Sequence, residues 1–295
     1  MICRLCDNSK ENRSFLVREM MFGLRDEFTY YQCSVCDCLQ IGEFPPDISK
    51  YYPDNYYSFS QDFTKLPVAH VRELAQKHVS FYLSKININR QSKILDVGSG
   101  SGMYIYFLRE IGFMNALGID LYLDESIQYD NGARVIKETV HNMGQQWDLI
   151  MFNHSFEHIP DPLETLQQVS RLLAEGGVCL IRIPTVSSYA WQHYGVNWVQ
   201  LDAPRHFFLH STKSINILAE KAGLRLREVV YDSTEFQFLG SEQYLRGISL
   251  YSDRSYSRNP AASIFSQSQV EVFKTRAQQM NRQNRGDQAA FYLAR

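Results

Sequence analysis

The sequence lacks both a long apolar run and an excess of charge of either sign. No stretch approaches the roughly 20 apolar residues that a membrane-spanning helix needs, so the sequence predicts no membrane span. The 30 basic and 32 acidic residues give a formal net charge of −2. Nucleic-acid binding usually shows as a basic face, so we expect no nucleic-acid partner. The first residues, MICRLC, do not resemble a signal peptide, and we interpret the protein as cytoplasmic.

Cysteine is scarce beyond the N-terminal region, which holds five of the six cysteines. Cys3 and Cys6 form one C-x-x-C pair, and Cys33 and Cys36 form a second. Two such pairs can place four thiolates around one tetrahedral zinc ion, which predicts a structural site with no open position for catalysis. Disulfides are the alternative, which a reducing cytoplasm disfavours. We interpret Cys179, in a predicted buried strand, as a small core residue.

The N-terminal cysteines predict a small zinc-ribbon-like module over residues 1–44. Residues 14–18 and 27–31 can pair as a hairpin across a turn near Gly23. A module of this size buries too little apolar area to fold alone, so metal binding would supply folding free energy. Cys38 is an alternative ligand in place of Cys36, although the symmetry of the two pairs argues against it.

A glycine-rich loop follows the apolar run at residues 94–97. Gly98, Gly100 and Gly102 alternate with serines, and a helical pattern begins near Met103. Larger side chains would block a ligand from lying against the backbone of such a turn. The helix N-terminus behind it presents unpaired N–H groups to an anionic group. The loop therefore predicts a cofactor site.

Two kinds of cofactor fit such a loop. A dinucleotide fold requires G-x-G-x-x-G, because its third glycine lets the helix pack close to the strand. The spacing here is G-x-G-x-G, with Asp96 on the strand before it. Asp120 ends the next predicted strand and can accept hydrogen bonds from ribose hydroxyls. Either cofactor would use that carboxylate, so Asp120 does not discriminate between them.

The segment after these strands distinguishes between the two kinds of cofactor. WDLIMFN at residues 147–153 reads as a strand, HSFEHIPDP follows, and an amphipathic helix ends at a Gly-Gly pair before a strand at 178–183. With the glycine loop, this succession over residues 92–184 resembles the class I S-adenosylmethionine (SAM) dependent methyltransferases. The resemblance implies a doubly wound, mostly parallel, seven-stranded Rossmann-like α/β sheet and SAM as cofactor. It implies SAM contacts from Asp96, Gly98, Ser99, Gly100, Gly102, Asp120, Leu121 and Asn153.

Strand and helix patterns alternate along the chain, which predicts a parallel sheet covered on both faces. The predicted strands are residues 93–97, 116–120, 134–137, 149–153, 179–183, 224–232 and 288–294. The last of these resembles the final strand of the superfamily, which usually inserts antiparallel. The predicted divisions are the zinc module, a linker with a lid helix at 45–90, and a SAM-binding domain at 91–295 with a helical insertion at about 241–284.

Candidate catalytic residues follow the fourth and fifth strands of the domain, where ligands bind in open α/β sheets. Methyl transfer to a hydroxyl needs a base for its proton. His206 lies in a PRH stretch that resembles one in methyltransferases thought to act on bacterial glycans, and we predict it as the base, with His158 second. Asp202 would orient the base or bind substrate hydroxyls, and Arg205 would bind a substrate anion. Core or capping roles for the histidines, and an Asp202–Arg205 ion pair, are the alternatives.

Tyrosines concentrate before the lid helix, and we predict Tyr56 and Tyr57 as substrate-binding residues. Aromatic rings stack on sugar faces, although they also cover domain interfaces. The predicted activity is SAM-dependent methylation of an oxygen or carbon of a nucleotide-linked or glycan sugar. One alternative is a methyltransferase of a quinone or other small metabolite. Another is a protein- or RNA-binding zinc protein with a non-catalytic SAM fold. The oligomeric state is left open.

Overall fold

The structure is a computed structural model that describes residues 1–53 and 56–295, apart from the side chains of Tyr57, His78 and Ser80. Over these residues the chain forms two β-sheets, one of four strands and one of eight. Within the described ranges, no helix is both long and apolar enough to cross a membrane.

The elements are numbered in chain order. The strands are β1 (Arg13–Arg18), β2 (Glu27–Gln32), β3 (Leu39–Ile41), β4 (Ile94–Val97), β5 (Ala116–Ile119), β6 (Ile127–Gln128), β7 (Arg134–Ile136), β8 (Trp147–Asn153), β9 (Leu173–Pro184), β10 (Phe208–Leu209), β11 (Arg225–Tyr231) and β12 (Gln288–Ala294). The α-helices are α1 (Val68–His78), α2 (Ser80–Leu83), α3 (Met103–Glu110), α4 (Pro162–Leu172), α5 (Tyr189–Tyr194), α6 (Thr212–Lys221), α7 (Phe236–Leu245) and α8 (Gln267–Arg282).

The eight-stranded sheet has the order β11-β12-β9-β8-β4-β5-β7-β6. Its five central strands, from β9 to β7, are parallel, and β12 inserts antiparallel between β9 and β11. The predicted doubly wound, mostly parallel sheet is confirmed. The sequence predicts seven strands, and the eighth is β6, which pairs antiparallel with β7 at one edge. A two-residue strand is too short to show an alternating pattern in the sequence.

Alternate residues of the central strands enter different cores, as the pleat of a strand requires. Leu95 of β4 and Ile150 of β8 belong to the core that also contains residues of α4 and α6. Ile94 and Leu149 belong to the core on the other face, with residues of α1, α2 and α3. Both faces of the parallel sheet are therefore covered, and its carboxyl edge is left for ligands.

The predicted helices form with modest changes of boundary. The lid helix is divided into α1 and α2, with Val79 between them. The insertion between β11 and β12 begins with α7, at Phe236 rather than 241, and ends with α8. Helix α6 has a capping box, in which Ser211 accepts the Ser214 N–H and Ser214 accepts the Ser211 N–H.

The N-terminal hairpin forms as predicted, with Ser14 opposite Tyr31 and Arg18 opposite Glu27. Its sheet does not end with the module, because β3 pairs with β10 from the later part of the chain. The hydroxyl of Tyr30 also donates to the His206 carbonyl at 2.8 Å. The module and the larger domain therefore share a sheet.

A buried ion pair joins the same two parts of the chain. Glu19 and Arg205 have no exposed side-chain surface, and an Arg205 guanidinium nitrogen lies 3.2 Å from Glu19 Oε1. Glu19 also accepts the N–H groups of Phe22 and Leu24, both at 2.8 Å. Buried charges are tolerated only when they are paired and hydrogen-bonded. The pair therefore fixes the segment around residue 205 against the hairpin.

We predict that Glu19→Ala lowers the free energy of unfolding by about 3 kcal/mol, because it leaves the buried Arg205 charge short of a partner. Urea denaturation of the purified protein measures this loss. Glu27→Ala is the matched control, since Glu27 forms an exposed pair with Arg18 on the same hairpin and should change stability by less than about 1 kcal/mol. Equal losses in both variants would contradict the role given to Glu19.

Candidate functional site

The glycine loop at the end of β4 has the backbone that only glycine adopts readily. Gly98, Gly100 and Gly102 have φ values of +70°, +54° and +85°. A Cβ atom on Gly100 would lie 2.5 Å from the Ser58 carbonyl oxygen, and one on Gly98 would lie 2.5 Å from Ser155 Cβ. Both positions therefore exclude a side chain, and the bare backbone is covered by Ser58 and by the loop after β8.

Two aspartates flank this loop. Asp96 is buried, and Asn153 Nδ2 donates to its Oδ1 at 3.3 Å. Burial raises the pKa of Asp96 to about 7. Asp120 accepts the Gly100 N–H at one carboxylate oxygen and the Tyr122 N–H at the other, both at 2.8 Å. The carboxylate of Asp120 therefore holds the loop in shape and retains lone pairs for further donors.

The remaining predicted cofactor residues lie beside this pair. Ser99 Oγ donates to the Ile119 carbonyl at 3.4 Å, so it faces β5. Leu121 lies directly after Asp120 and is exposed. The structure thus brings all eight predicted cofactor residues to the carboxyl ends of β4, β5 and β8.

The loop after β8 lies against the glycine loop. His154 has a φ of +51°, which is strained for a residue with a side chain. Ser155 Oγ donates to the Val97 carbonyl at 2.6 Å and fixes the position of the turn. A 3-10 turn at Phe156–His158 follows. This turn therefore places its side chains next to the predicted cofactor site.

Glu157 in that turn has no exposed surface. Neither of its carboxylate oxygens has a hydrogen-bond partner among the described residues. The Nδ1 atom of His154 lies 3.6 Å from Oε1, and the Nε2 atom of His206 lies 3.9 Å from it. Burial acts to raise the pKa of Glu157, but the surrounding histidines outweigh it and lower the pKa to about 2.

His158 and His206 meet beside Glu157, with ring centroids 4.9 Å apart. They are brought together by a main-chain hydrogen bond from the Phe207 N–H to the Glu157 carbonyl at 2.9 Å. Burial lowers the pKa of His158, which favours its neutral form. The Oδ2 atom of Asp202 lies 3.8 Å from His206 Nε2. The two predicted bases therefore lie in one cluster with Glu157. We call Glu157, His158 and His206 the acceptor cluster.

Arg205 corrects one expectation. Its buried side chain donates to both carboxylate oxygens of Asp202, at 3.0 and 2.6 Å, and to the Tyr51 carbonyl at 3.0 Å. A side chain with no exposed surface cannot reach a substrate anion in solvent, so the ion-pair alternative is the correct one. Tyr56 is also buried, with its ring packed edge-to-face on Tyr52. The side chain of Tyr57 lies outside the described residues.

Sequence reasoning missed a polar group at the same edge of the sheet. Arg182 Nε lies 2.6 Å from Asp232 Oδ2, and another Arg182 nitrogen donates to His154 Nε2 at 2.9 Å. The Tyr82 hydroxyl also donates to Asp232. The available signal was a charged residue, Arg182, inside an apolar strand. We call Arg182, Asp232 and His154 the polar edge.

The N-terminal cysteines converge as predicted. The Sγ atoms of Cys3 and Cys36 are 3.6 Å apart, and those of Cys6 and Cys33 are 3.5 Å apart. All four lie within 4.8 Å of one another. A tetrahedral ion with Zn–S bonds of about 2.3 Å separates its sulfurs by about 3.8 Å. The set therefore fits zinc. Cys38 is outside it and is fully buried.

A family model described as a methyltransferase domain matches residues 68–229, more than half of the chain. The chain belongs to this methyltransferase family. This match runs from α1 into β11 and contains the glycine loop, the acceptor cluster and Arg182. The predictions that the protein is an enzyme, that it is a SAM-dependent methyltransferase and that SAM is its cofactor are confirmed.

The methyltransferase is similar to two curated proteins named ubiquinone biosynthesis O-methyltransferase. The one from Actinobacillus pleuropneumoniae serotype 7 is 28% identical over 158 residues, covering 46% of this chain and 67% of that protein. The one from Klebsiella pneumoniae is 26% identical over 110 residues, covering 34% of this chain. The match spans 45% of the Klebsiella protein, less than half its length.

A solved structure with a similar fold is a mycolic acid cyclopropane synthase in complex with SAH and CTAB. The TM-score is 0.50 at 17% identity, and the match covers 81% of this chain and 95% of that chain. At this identity the likeness shows the fold alone.

Proposed function

We propose that this methyltransferase methylates a hydroxyl oxygen of a small-molecule acceptor, with a sugar-containing acceptor as the first class. The observation that carries the proposal is the polar edge. Arg182, Asp232 and His154 present charged and hydrogen-bonding groups at the carboxyl ends of three strands, beside the glycine loop. Asp232 Oδ1 is buried and has no hydrogen-bond partner among the described residues. It therefore favours a ligand that can donate a hydroxyl hydrogen, because an apolar ligand would leave it unpaired.

The residues around the glycine loop fit SAM. Gly98, Gly100 and Gly102 leave the backbone bare where a Cβ atom would collide with its neighbours, and we assign this loop to the amino acid end of the cofactor. Asp120 would accept hydrogen bonds from the ribose hydroxyls. SAM, when bound, supplies a methyl group on a sulfonium sulfur, which leaves with the electron pair of the broken carbon–sulfur bond.

The protein's own contribution is to position the acceptor, exclude water and receive the hydroxyl proton. The sequence favours His206 as the base. The Nδ1–H groups of His206 and His158 each donate a hydrogen bond to a main-chain carbonyl. Nε2 is therefore the atom of each ring that can accept a proton. We therefore assign the acceptance of the hydroxyl proton to the acceptor cluster as a whole. The negative charge of Asp202, which is paired with Arg205, acts electrostatically on this cluster.

A phenolic quinone precursor is the second candidate acceptor. The curated relatives named ubiquinone biosynthesis O-methyltransferase favour it. Both classes offer a hydroxyl to the same polar edge, so the chemistry that the residues must perform is the same.

Acceptor class is tested by incubating the purified protein with SAM and either nucleotide-linked sugars or dihydroxyphenyl quinone precursors. We expect mass spectrometry to show a methylated sugar nucleotide. Methylation of the dihydroxyphenyl compounds alone would overturn the first class in favour of the second. A methyl group found on carbon or nitrogen would overturn the assignment to oxygen.

We predict that Gly100→Ala weakens S-adenosylhomocysteine binding by at least tenfold in calorimetry, because the added methyl group collides with the Ser58 carbonyl and occupies the bare backbone. Gly195→Ala is the matched control. Gly195 has nearly the same φ, +52°, but a Cβ atom there would meet nothing within 4 Å. Both variants place a Cβ atom on a residue with positive φ, so an equal loss of affinity would argue against the loop as the cofactor site.

We infer that Cys3, Cys6, Cys33 and Cys36 hold a structural zinc ion. Donors around the sulfurs support thiolates, since Gln40 Nε2 lies 3.1 Å from Cys3 Sγ and the Cys36 N–H lies 3.5 Å from Cys33 Sγ. Four thiolates saturate the ion, so its role is architectural.

Elemental analysis of protein purified under reducing conditions should find one zinc equivalent at this site. Cys6→Ala should lose it and lower the melting temperature, because metal binding contributes to folding. Cys179→Ala removes a buried cysteine far along the chain and should retain the zinc. A wild-type protein with less than about half an equivalent would refute the site.

A further inference from the structure

The acceptor cluster contains a buried carboxylate that lies near histidines but is not hydrogen-bonded to them. Glu157 has no exposed surface, and neither oxygen finds a hydrogen-bond partner among the described residues. The His154 Nδ1 atom, at 3.6 Å, is beyond hydrogen-bond distance. An ionised carboxylate is removed from water only at a large cost unless a charge or donor replaces the water. A positive charge close to the carboxylate oxygens of Glu157 would offset this cost.

The two histidines present lone pairs to the same place. His158 Nδ1 lies 2.8 Å from the Arg205 carbonyl, and His206 Nδ1 lies 2.8 Å from the Gln200 carbonyl. A carbonyl only accepts, so each Nδ1 carries the hydrogen and each neutral ring keeps its lone pair at Nε2. A ring whose Nδ1–H is held by a main-chain carbonyl is the usual arrangement around a metal-binding histidine.

The Nε2 atom of His206 faces two carboxylates without a hydrogen bond to either. This atom lies 3.9 Å from Glu157 Oε1 and 3.8 Å from Asp202 Oδ2. Both separations exceed a hydrogen bond, and the 3.9 Å between His206 Nε2 and Glu157 Oε1 fits two ligands of one cation at about 2.1 Å from each. One ligand atom from each of Glu157, His158 and His206 lies within 4.8 Å of the others.

We propose that Glu157, His158 and His206 bind a divalent transition-metal cation, of the class that accepts two imidazoles and a carboxylate, such as Mn²⁺, Fe²⁺, Co²⁺ or Zn²⁺. Three protein ligands leave open coordination positions. The role of the cation in the reaction rests on the proposed function. The cation would take the hydroxyl of the acceptor as a ligand at an open position and lower the pKa of that hydroxyl. Cation binding would thus change one step of the proposed function: Nε2 of each histidine becomes a ligand instead of the proton acceptor. The hydroxyl, made more acidic by the cation, would then lose its proton to solvent.

The site is separate from the cysteine set. His158 is half-buried, whereas Glu157 and His206 are buried. The cluster therefore meets solvent chiefly at His158. The thiolates of the N-terminal module prefer zinc, and Mn²⁺ prefers oxygen and nitrogen ligands. Mn²⁺ is thus a probe that reports the acceptor cluster without displacing the structural ion.

The test is a titration of the zinc-loaded, full-length protein with Mn²⁺, in which electron paramagnetic resonance counts the unbound ion. We expect one bound equivalent in the wild type and at least a tenfold weaker affinity in Glu157→Gln, which keeps the shape of the side chain but removes its charge. Glu271→Gln is the control, because Glu271 is exposed on α8. Glu157→Ala and His206→Ala should lose the site as well.

Two further measurements separate the outcomes. Circular dichroism and S-adenosylhomocysteine calorimetry show whether each variant folds and retains the cofactor site. Absence of Mn²⁺ binding in a wild type that carries no zinc beyond the thiolate site overturns the metal site, and so does unchanged Mn²⁺ affinity in a folded Glu157→Gln protein. Bound Mn²⁺ in a protein that methylates no hydroxyl compound overturns the proposed function and leaves the cation site standing.

Discussion

The arrangement of the active region depends on how Arg205 is buried. Its guanidinium pairs with Glu19 of the N-terminal hairpin and with Asp202, while its carbonyl accepts the Nδ1–H of His158. A buried charge requires its partners to remain in place. One residue therefore connects the hairpin, the segment that carries His206 and the turn that carries His158.

This constraint gives the cysteine module a structural purpose. The module contributes Glu19 to the ion pair, the Tyr30 hydroxyl to the His206 carbonyl and β3 to the pairing with β10. In addition, Ser211 at the start of α6 donates to the Cys36 carbonyl. A zinc ion that stabilises the module would therefore also stabilise the segment from residue 202 to 211, which lies far from it in sequence.

Three groups of residues meet along the carboxyl edge of the parallel sheet: the glycine loop, the polar edge and the acceptor cluster. His154 connects the last two, because its Nε2 accepts a hydrogen bond from Arg182 while its Nδ1 faces Glu157. Its left-handed backbone is the local cost of placing a side chain at that junction. The polar edge and the acceptor cluster are therefore one continuous, largely buried polar group beside the bare backbone of the glycine loop.

Sequence patterns alone determined the strand–helix alternation, the glycine loop with Asp96 and Asp120, and the two cysteine pairs. These features are local, since spacing within a few residues decides the periodicity, the turn and the ligand geometry. Only the tertiary structure decided that Arg205 is a buried ion-pair partner, that Glu157 stands without a hydrogen bond between two histidines, and that Arg182 meets Asp232. Each of these depends on contacts between residues distant in sequence, and the burial that makes a charge costly exists only once the chain has folded.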